Sequence, residues 1–303
     1  MKTTIEPDPS MIGGIPKVPL ALLPKDPAAL FDKRAKRLDF LAGHNPNLKG
    51  YLEFLAALVR AQAALARDIG TPAPQDDETV EMLRASRMPQ IDRAALADRL
   101  PDALDRYLAL IEPIDMPDPS RLALEAVKSA TSADRDWLIT NILTDTIPDD
   151  SVAPHVFVAA AAQVVAALAA SVVDPEKPVP IKFGVCPVCG GRPSASVITE
   201  QAGAEGLRYA NCACCQTQWN EVRIKCLCCE QTGKMSYRSV ETDEATIKAE
   251  VCGDCHQWVK VLYLTKNATL EAVADDVGSL GLDLRMKDSE FTRGAFNPFL
   301  VGL

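Results

Sequence analysis

The chain has 303 residues, of which 48% are apolar, so it is long and apolar enough for a substantial core and for two domains. Its formal net charge of −9 argues against a protein that coats nucleic acid or anionic lipid, because both bind a basic face. Between residues 182 and 260, which include all ten cysteines, nine Lys or Arg are matched by nine Asp or Glu. This region therefore lacks the basic stripe of a nucleic-acid-binding ribbon.

The first 180 residues have the periodicity of helices and contain no cysteine. Asp26 and Pro27 supply an N-cap and a first-turn proline. Apolar and polar positions then recur at helical spacing, Leu30, Arg34, Leu38 and Leu41 in a first helix and Leu48, Tyr51, Leu52, Leu55, Val59 and Gln62 in a second. Gly70 can end the second helix.

Three further helices are predicted before residue 180. Asp118 and Pro119 repeat the cap-plus-proline pair, and Ser132 can cap a helix that holds Trp137. The uncharged segment 152–173 is long enough to span a membrane, but it is rich in alanine, contains polar residues and has acidic flanks. We interpret it as a buried central helix and expect a protein that is not embedded in a membrane.

The N-terminal segment predicts a cytoplasmic protein. Lys2 is its only early positive charge, and the apolar run 18–23 is short and bracketed by prolines. An export signal needs a positive region followed by a longer apolar stretch.

A proline-rich segment marks the end of the helical part. Residues 174–180 include three prolines, the composition of a semi-rigid linker. We therefore predict a helical domain over 1–180, one cysteine module over 181–220, a second over 221–265, and a C-terminal helix and tail over 266–303. Short strands are expected around 208–212 and 259–264, and a helix over 270–286.

The cysteine region is an internal repeat with a period of 40 residues. Each Cys-x-x-Cys pair of the first unit recurs 40 positions later, and 22 residues separate the two pairs within each unit. The paired positions are Cys186 with Cys226, Cys189 with Cys229, Cys212 with Cys252, and Cys215 with Cys255. Such a period indicates a duplicated structural unit.

This spacing is typical of tetrahedral four-cysteine metal sites. Two residues between cysteines let a tight turn direct both sulfurs at one ion, and a second turn completes the set. The sequence therefore predicts two metal ions per chain. Cys214 and Cys228 have no counterpart at the 40-residue offset and are interpreted as bystanders. Disulfides are the alternative, which this spacing in a cytosolic chain disfavours.

Three kinds of function remain open from these residues: structural zinc ribbons, a nucleic-acid-binding ribbon that the charge balance disfavours, and redox work at a Cys-x-x-Cys pair or an iron centre. No nucleophile elbow, phosphate loop or dinucleotide fingerprint is present. Of the histidines, His256 is expected in an exposed loop, His155 in the core and His44 in a turn. The sequence does not indicate an enzyme.

Several motifs extend beyond the cysteine spacing. They are Arg34-Ala-Lys-Arg37-Leu38, Tyr51-Leu-x-Phe54, Cys186-Pro-Val-Cys189-Gly190, Gly206-Leu-Arg-Tyr209, Val222-Arg-Ile-Lys-Cys226, Ile247-Lys-Ala-Glu250, Cys252-Gly-Asp-Cys255, Glu271-Ala-Val-Ala-Asp-Asp276 and Asn297-Pro-Phe-Leu300. On these motifs the chain resembles the formate dehydrogenase accessory protein family, FdhE. The resemblance runs from about residue 27 to the C-terminus and is densest in the second half.

The resemblance implies an α+β protein with an all-α N-terminal domain, two tandem rubredoxin-like or zinc-ribbon-like modules and a C-terminal helix. It implies a cytoplasmic, chaperone-like maturation factor that binds the catalytic subunit of formate dehydrogenase, with iron as the favoured metal and zinc as the alternative. A metal-stabilised binding module with purely structural zinc is the competing interpretation. Arg34, Arg37, Phe296 and Phe299 are candidates either for partner contact or for packing within the chain.

Overall fold

The structure, a computed structural model, describes residues 18–200, 205–240 and 244–300. Within these ranges, a bundle of helices is followed by the strands that carry the cysteines and then by two short helices, and one short strand near each end of the chain joins the same sheet. The architecture confirms the predicted α+β class, with a helical N-terminal region and two tandem four-cysteine modules; the two-residue strand β1 (Ala21–Leu22) is the exception to the predicted all-α N-terminal part.

The N-terminal bundle has seven α-helices and one 3-10 helix among the described residues. The α-helices are α1 (Pro27–His44), α2 (Lys49–Ile69), α3 (Asp77–Ala85), α4 (Leu100–Ile111), α5 (Asp118–Ser129), α6 (Ser132–Thr144) and α7 (Val152–Ser171), and the 3-10 helix is Ala94–Arg99. Helices α3 and α4 were not predicted from the sequence.

The helix starts follow the predicted capping chemistry, with two shifts of one residue. The Asp26 side chain accepts a hydrogen bond from Ala29 N at 2.9 Å, as expected for the cap of α1. Thr131, not Ser132, caps α6, because its hydroxyl accepts from Asp134 N. Pro117, not Asp118, occupies the cap position of α5. Asp118 therefore lies in the first turn, where its negative charge interacts favourably with the positive end of the helix dipole.

Helix α7 is the central helix of the bundle. It contacts α2, α4, α5 and α6, and its alanines let these helices approach closely. Of the described helices it is the one long and apolar enough for a membrane span, and 72% of its most apolar window is buried inside the protein. Its polar Gln163 is satisfied within the core, accepting from Gln62 Nε2 at 3.1 Å. The structure thus gives α7 the predicted role of a buried core helix.

One sheet contains both cysteine modules. Its strands are β1 (Ala21–Leu22), β2 (Pro193–Ile198), β3 (Arg208–Cys212), β4 (Gln218–Glu221), β5 (Met235–Arg238), β6 (Ile247–Cys252), β7 (Gln257–Tyr263) and β8 (Thr292–Arg293). Their order is β1-β4-β3-β2-β7-β6-β5, and β8 pairs with β7. The repeat is visible in this order, since β2, β3 and β4 correspond to β5, β6 and β7 at an offset of 40 residues. The two units join through the parallel pair β2·β7.

The cysteine modules pack directly on the helical bundle, so the prolines of segment 174–180 do not hold the two parts separate. One apolar cluster includes side chains of both parts. Ile91 N donates to Val188 O at 2.7 Å, and Gln163 Nε2 donates to Ala213 O at 2.9 Å. These two bonds fix both cysteine turns of the first module against the bundle.

The segment predicted as one C-terminal helix forms two, α8 (Ala272–Gly278) and α9 (Leu280–Lys287). They meet at Ser279, whose hydroxyl donates to Asp275 O at 2.6 Å and competes with helical bonding. Gly278 packs closely against α1, because a Cβ there would lie 2.8 Å from Leu41 Cδ1 and the leucine side chain would have to move.

Two of the sequence motifs meet where α1 packs on α8. Arg34 Nε donates to Glu271 Oε1 at 3.1 Å, and Arg37 Nη2 donates to Asp275 Oδ1 at 2.7 Å. The Arg34 side chain is 1% exposed, so its ion pair with Glu271 is buried. Arg34 Nη2 also donates to Gln216 Oε1 at 2.7 Å. The arginine motif of the bundle thus binds the acidic motif that follows the sheet.

Candidate metal centres

The first cysteine module brings four thiols together under the bundle. The Sγ atoms of Cys186, Cys189, Cys212 and Cys215 all lie within 4.8 Å of one another, and all four residues are buried. Sγ of Cys186 lies 3.7 Å from that of Cys215, and Sγ of Cys189 lies 3.4 Å from that of Cys212. A metal–sulfur bond of about 2.3 Å in a tetrahedron implies sulfurs about 3.8 Å apart, so the group has the size of a metal site.

The second module repeats this arrangement nearer the surface. The Sγ atoms of Cys226, Cys229, Cys252 and Cys255 also lie within 4.8 Å of one another. The pairs Cys226–Cys255 and Cys229–Cys252 are each 3.7 Å apart. Cys229 and Cys255 are half-buried, whereas all four cysteines of the first group are buried. The two groups therefore match in geometry and differ in access from solvent.

All four cysteine turns end in the same backbone conformation. The residue after the second cysteine of each pair has a positive φ: Gly190 (73°), Gln216 (64°), Glu230 (68°) and His256 (53°). This left-handed residue turns the chain back over the sulfurs, as in the bond from Glu230 N to Cys226 O at 3.0 Å. Only one of the four is glycine, so residue type does not predict the left-handed conformation at the other three.

Backbone amides also point at the sulfurs. Cys214 N donates to Cys212 Sγ, and Asp254 N donates to Cys252 Sγ, each at 3.4 Å and at equivalent positions of the repeat. Cys228 N donates to Cys226 Sγ at 3.4 Å. Such donors stabilise negative charge on sulfur and lower the cost of a thiolate.

The pKa shifts of the first group indicate that its four thiols need a positive charge nearby. Burial raises the pKa of the Cys186, Cys212 and Cys215 thiols well above the ordinary value. Hydrogen bonds from the Cys186 and Cys212 thiols hold the pKa of Cys189 well below it. Ionising all four of these buried thiols without a nearby positive charge is therefore unfavourable. A bound cation would supply the charge that four buried thiolates need, so the donor set fits a metal ion.

The second group has the same pattern in a weaker form. Hydrogen bonding from the Cys228 thiol is the main cause that lowers the pKa of Cys226 to about 4. Burial raises the pKa of Cys229 and of Cys255. The raised pKa values of Cys229 and Cys255 again mean that a bound cation would be needed to hold these sulfurs as thiolates.

Cys214 and Cys228 lie outside both four-thiol groups of the described residues. Each adjoins one group, since interaction with the Cys189 sulfur is the main cause that raises the pKa of Cys214, and interaction with the Cys226 sulfur is the main cause that raises the pKa of Cys228. Cys214 also lines a small cavity with Gln163 and Phe296, whereas Cys228 lies against Gly294. Both are placed to donate to a sulfur of the group rather than to complete it.

None of the three histidines joins a four-thiol group among the described residues. His155 is fully buried in the core, and its Nδ1 lies 2.6 Å from Ser151 O. Burial lowers the pKa of His155, so it is neutral at pH 7. His256 has an exposed side chain, 3.6 Å from Glu290, as expected for a loop residue. His44 is the last residue of α1 and stacks on Phe40.

The candidates for partner contact are mostly used within the chain. Arg34 and Phe299 are buried, so an exposed partner-binding role for them is wrong. Arg37 is bound to Asp275 and Thr269. Phe296 is partly buried and lies under the Arg192 guanidinium, 5.7 Å from the ring centre. The aromatic tail packs on its own protein because its apolar area joins the core.

The fold and sites define a class of protein in which a helical domain supports two tandem four-cysteine metal-binding modules. Three family models match the chain in this order: FdhE, N-terminal, over residues 18–182; FdhE, central domain, over 185–223; and FdhE, C-terminal domain, over 224–300. The chain belongs to the FdhE family.

Relatives and a solved structure agree with this membership. The chain is 48% identical to a protein FdhE homolog of Rhizobium meliloti (strain 1021), with 98% of each chain covered. It is 34% identical to protein FdhE of Escherichia coli (strain SMS-3-5 / SECEC), covering 89% of this chain and 88% of that one. The crystal structure of the FdhE protein from Pseudomonas aeruginosa is 31% identical, with a TM-score of 0.80 over 90% of this chain and 96% of that chain.

Proposed function

We propose that this protein is a cytoplasmic maturation factor that binds the catalytic subunit of a formate dehydrogenase and is not itself an enzyme. Membership of the FdhE family is the observation that carries the proposal, since the family is one of formate dehydrogenase accessory proteins. The acidic charge of −9 supports a protein partner rather than nucleic acid.

The eight repeat cysteines are the proposed ligands of two metal ions, four to each ion. Their sulfurs are spaced for tetrahedral binding, and backbone amides donate to three of them. We favour iron, because the resemblance to the FdhE family implies rubredoxin-like iron sites at these Cys-x-x-Cys pairs. Iron held by four thiolates supplies one-electron chemistry when bound, whereas zinc supplies none.

The two groups suit different roles. The first lies under α7 with its four cysteines buried, which suits a site that stabilises the fold. The second has two half-buried cysteines and suits a site that a partner can reach. Purely structural zinc in both sites is the second candidate function, and the deep burial of the first group favours it for that site.

A deletion strain tests the role in maturation. We expect cells without this protein to assemble inactive formate dehydrogenase, and the wild-type gene to restore the activity. Fully active enzyme in the deletion strain would refute the maturation role. Purified protein with iron absorbs in the visible, whereas zinc protein is colourless, so absorption with elemental analysis identifies the metal. A zinc form that complements as well as the iron form would show that the sites are structural.

A further inference from the structure

The outer edge of β5 has no neighbouring strand among the described residues, although the equivalent edge of β2 in the first repeat unit is paired. In the first unit, β2 pairs on one side with β3 and on the other with β7, at Ser196↔Val261 and Ile198↔Tyr263. Its repeat equivalent β5 pairs with β6 only, and it ends the sheet among the described residues. The residues equivalent to Ser196–Ile198 are 236–238, and they are exposed, whereas those of β2 are buried.

A head-to-tail copy of the chain is a poor occupant of this edge. Such a copy would have to offer β4, the repeat equivalent of β7. The outer edge of β4 is already taken by β1, with Ala21↔Trp219 and a bond from Asn220 N to Leu20 O at 2.8 Å. The strand that could extend the sheet in this way is therefore capped within its own chain.

A two-fold copy is disfavoured by charge. Segment 231–240 carries two cations, Lys234 and Arg238, and no acidic residue, in a chain of net charge −9. Lys234 is paired with Asp254 at 3.6 Å, so Arg238 is the cation that an added strand would meet, and β5 of a second copy has no acidic residue to pair with it. Arg238 lies over the Phe291 ring at 4.7 Å and forms no ion pair within the described ranges. An acidic side chain on an added strand would form an ion pair with Arg238.

A cavity continues this edge. Val240 follows β5 on the same face as Arg238 and lines, with Ile247 and Leu282, a cavity of about 310 Å³ beside the start of α9. An added strand presents alternate side chains to that face, so one can meet Arg238 while another enters the cavity. The edge therefore offers backbone bonds, one charged contact and one apolar pocket.

We propose that the outer edge of β5 is the docking strand for an extended, acidic segment of the formate dehydrogenase catalytic polypeptide. The segment adds to the sheet parallel to β5, as β7 adds to β2. This inference rests on the proposed function and specifies its binding surface. Met235 is opposite Cys252 in the sheet, so the docked segment lies beside the more exposed four-cysteine group.

The test is binding of the purified catalytic subunit to the full-length, metal-loaded protein. We expect Arg238→Glu to weaken binding at least tenfold, about 1.4 kcal/mol. The matched control is Lys36→Glu, which makes the same charge change on the exposed face of α1 and should bind like wild type. Metal content and the urea midpoint of each variant verify the fold, and Arg238→Gln separates loss of charge from charge reversal.

A photo-crosslinking residue in place of Ser236 identifies the occupant. We expect it to crosslink to an acidic segment of the catalytic subunit, whereas the same residue in place of the exposed Leu122 does not. If wild type binds the subunit and neither Arg238→Glu nor crosslinking marks this edge, the docking strand is wrong while the maturation role stands. If wild type does not bind the subunit, both fail. Crosslinking to a second copy of this chain would overturn the proposed occupant.

Discussion

Arg208 of the first repeat and Glu250 of the second form a buried ion pair, with Nη2 and Oε1 2.7 Å apart and side chains 0% and 3% exposed. Arg208 also donates to Lys225 O at 2.7 Å, in the segment that joins the two units. The pair breaks the symmetry of the repeat, because the equivalents of Arg208 and Glu250 are Lys248 and Ala210. It therefore locks one unit onto the other in a single orientation.

Removing one partner of this pair should be costly. We expect Glu250→Ala to lower the free energy of unfolding by about 3–5 kcal/mol, because it leaves the Arg208 guanidinium buried without an anion. Glu53→Ala is the control, since it removes an exposed pair with Lys49 and should cost less than about 1 kcal/mol. Urea denaturation of the metal-loaded proteins measures both, and equal small losses would show that the buried pair does not couple the repeats.

Metal analysis should give two ions per chain and distinguish the eight repeat cysteines from the other two. We expect Cys186→Ser and Cys226→Ser each to lose about half of the bound metal, because a three-sulfur site is open and undercharged. Cys214→Ser and Cys228→Ser should retain both ions, since their thiols lie outside the groups. Equal losses in all four variants would contradict the ligand assignment.

The two sites should release metal at different rates. The first group is buried, and the second has two half-buried cysteines, so a chelator reaches the second more easily. We expect two kinetic phases of equal amplitude in excess chelator, followed by absorption or by a metal indicator. Cys226→Ser should lose the fast phase and keep the slow one. A single phase in the wild-type protein would mean that burial does not control exchange.

The left-handed turn residues give a backbone prediction. Glu230 has φ of 68°, and such a conformation costs a β-branched residue more than glycine. We expect Glu230→Gly to retain or improve stability and Glu230→Val to lose about 1–2 kcal/mol and weaken metal binding at the second site. Lys225→Gln is the control, because it removes the 2.8 Å ion pair with Glu230 without altering the turn. A valine variant as stable as the glycine variant would refute the argument.

The sequence predicted what depends on local chemistry. Spacing alone grouped the cysteines in two sets of four, and Asp26 marked the start of α1. The 40-residue offset also implied two like units, and their strands do correspond. It could not predict that the units differ in burial, because that difference comes from contacts distant in sequence. Ile91 and Gln163 of the bundle bind the first module, and no residue pattern marks them as its partners.

Buried charges were missed for a related reason. Lys260 stands on β7 at a position whose repeat equivalent is Asn220, and nothing in its neighbourhood in sequence indicates burial. In the structure it is 0% exposed and is bound by Asp276 and Asp283 from the C-terminal helices. The acidic motif that supported the family resemblance is therefore structural: its carboxylates neutralise cations of α1 and of the sheet.

Asp276 is the centre of this buried cluster. Its side chain is 0% exposed and lies 3.1 Å from Lys260 Nζ and 2.6 Å from Arg293 Nη2, and Asn297 Nδ2 donates to it at 2.8 Å. These contacts join β7, α8, β8 and the C-terminal segment. Asp276 is thus the anion on which several elements converge.

Substituting Asp276 tests that role. Burial alone would raise the pKa of Asp276, but Arg293 and Lys260 outweigh it and hold the pKa below the ordinary value. An acid with a lowered folded-state pKa contributes stability above its unfolded pKa of about 3.9 and loses it only as the pH falls through the folded value. We expect Asp276→Asn to lower the free energy of unfolding by about 3–5 kcal/mol, by a constant amount between pH 6 and 8.

Asp39→Asn, which affects only an exposed pair with Arg60, is the control. Urea denaturation at both pH values, with metal content verified, measures the difference, and a loss that varies across this range would show that Asp276 is not fully ionised in the folded protein.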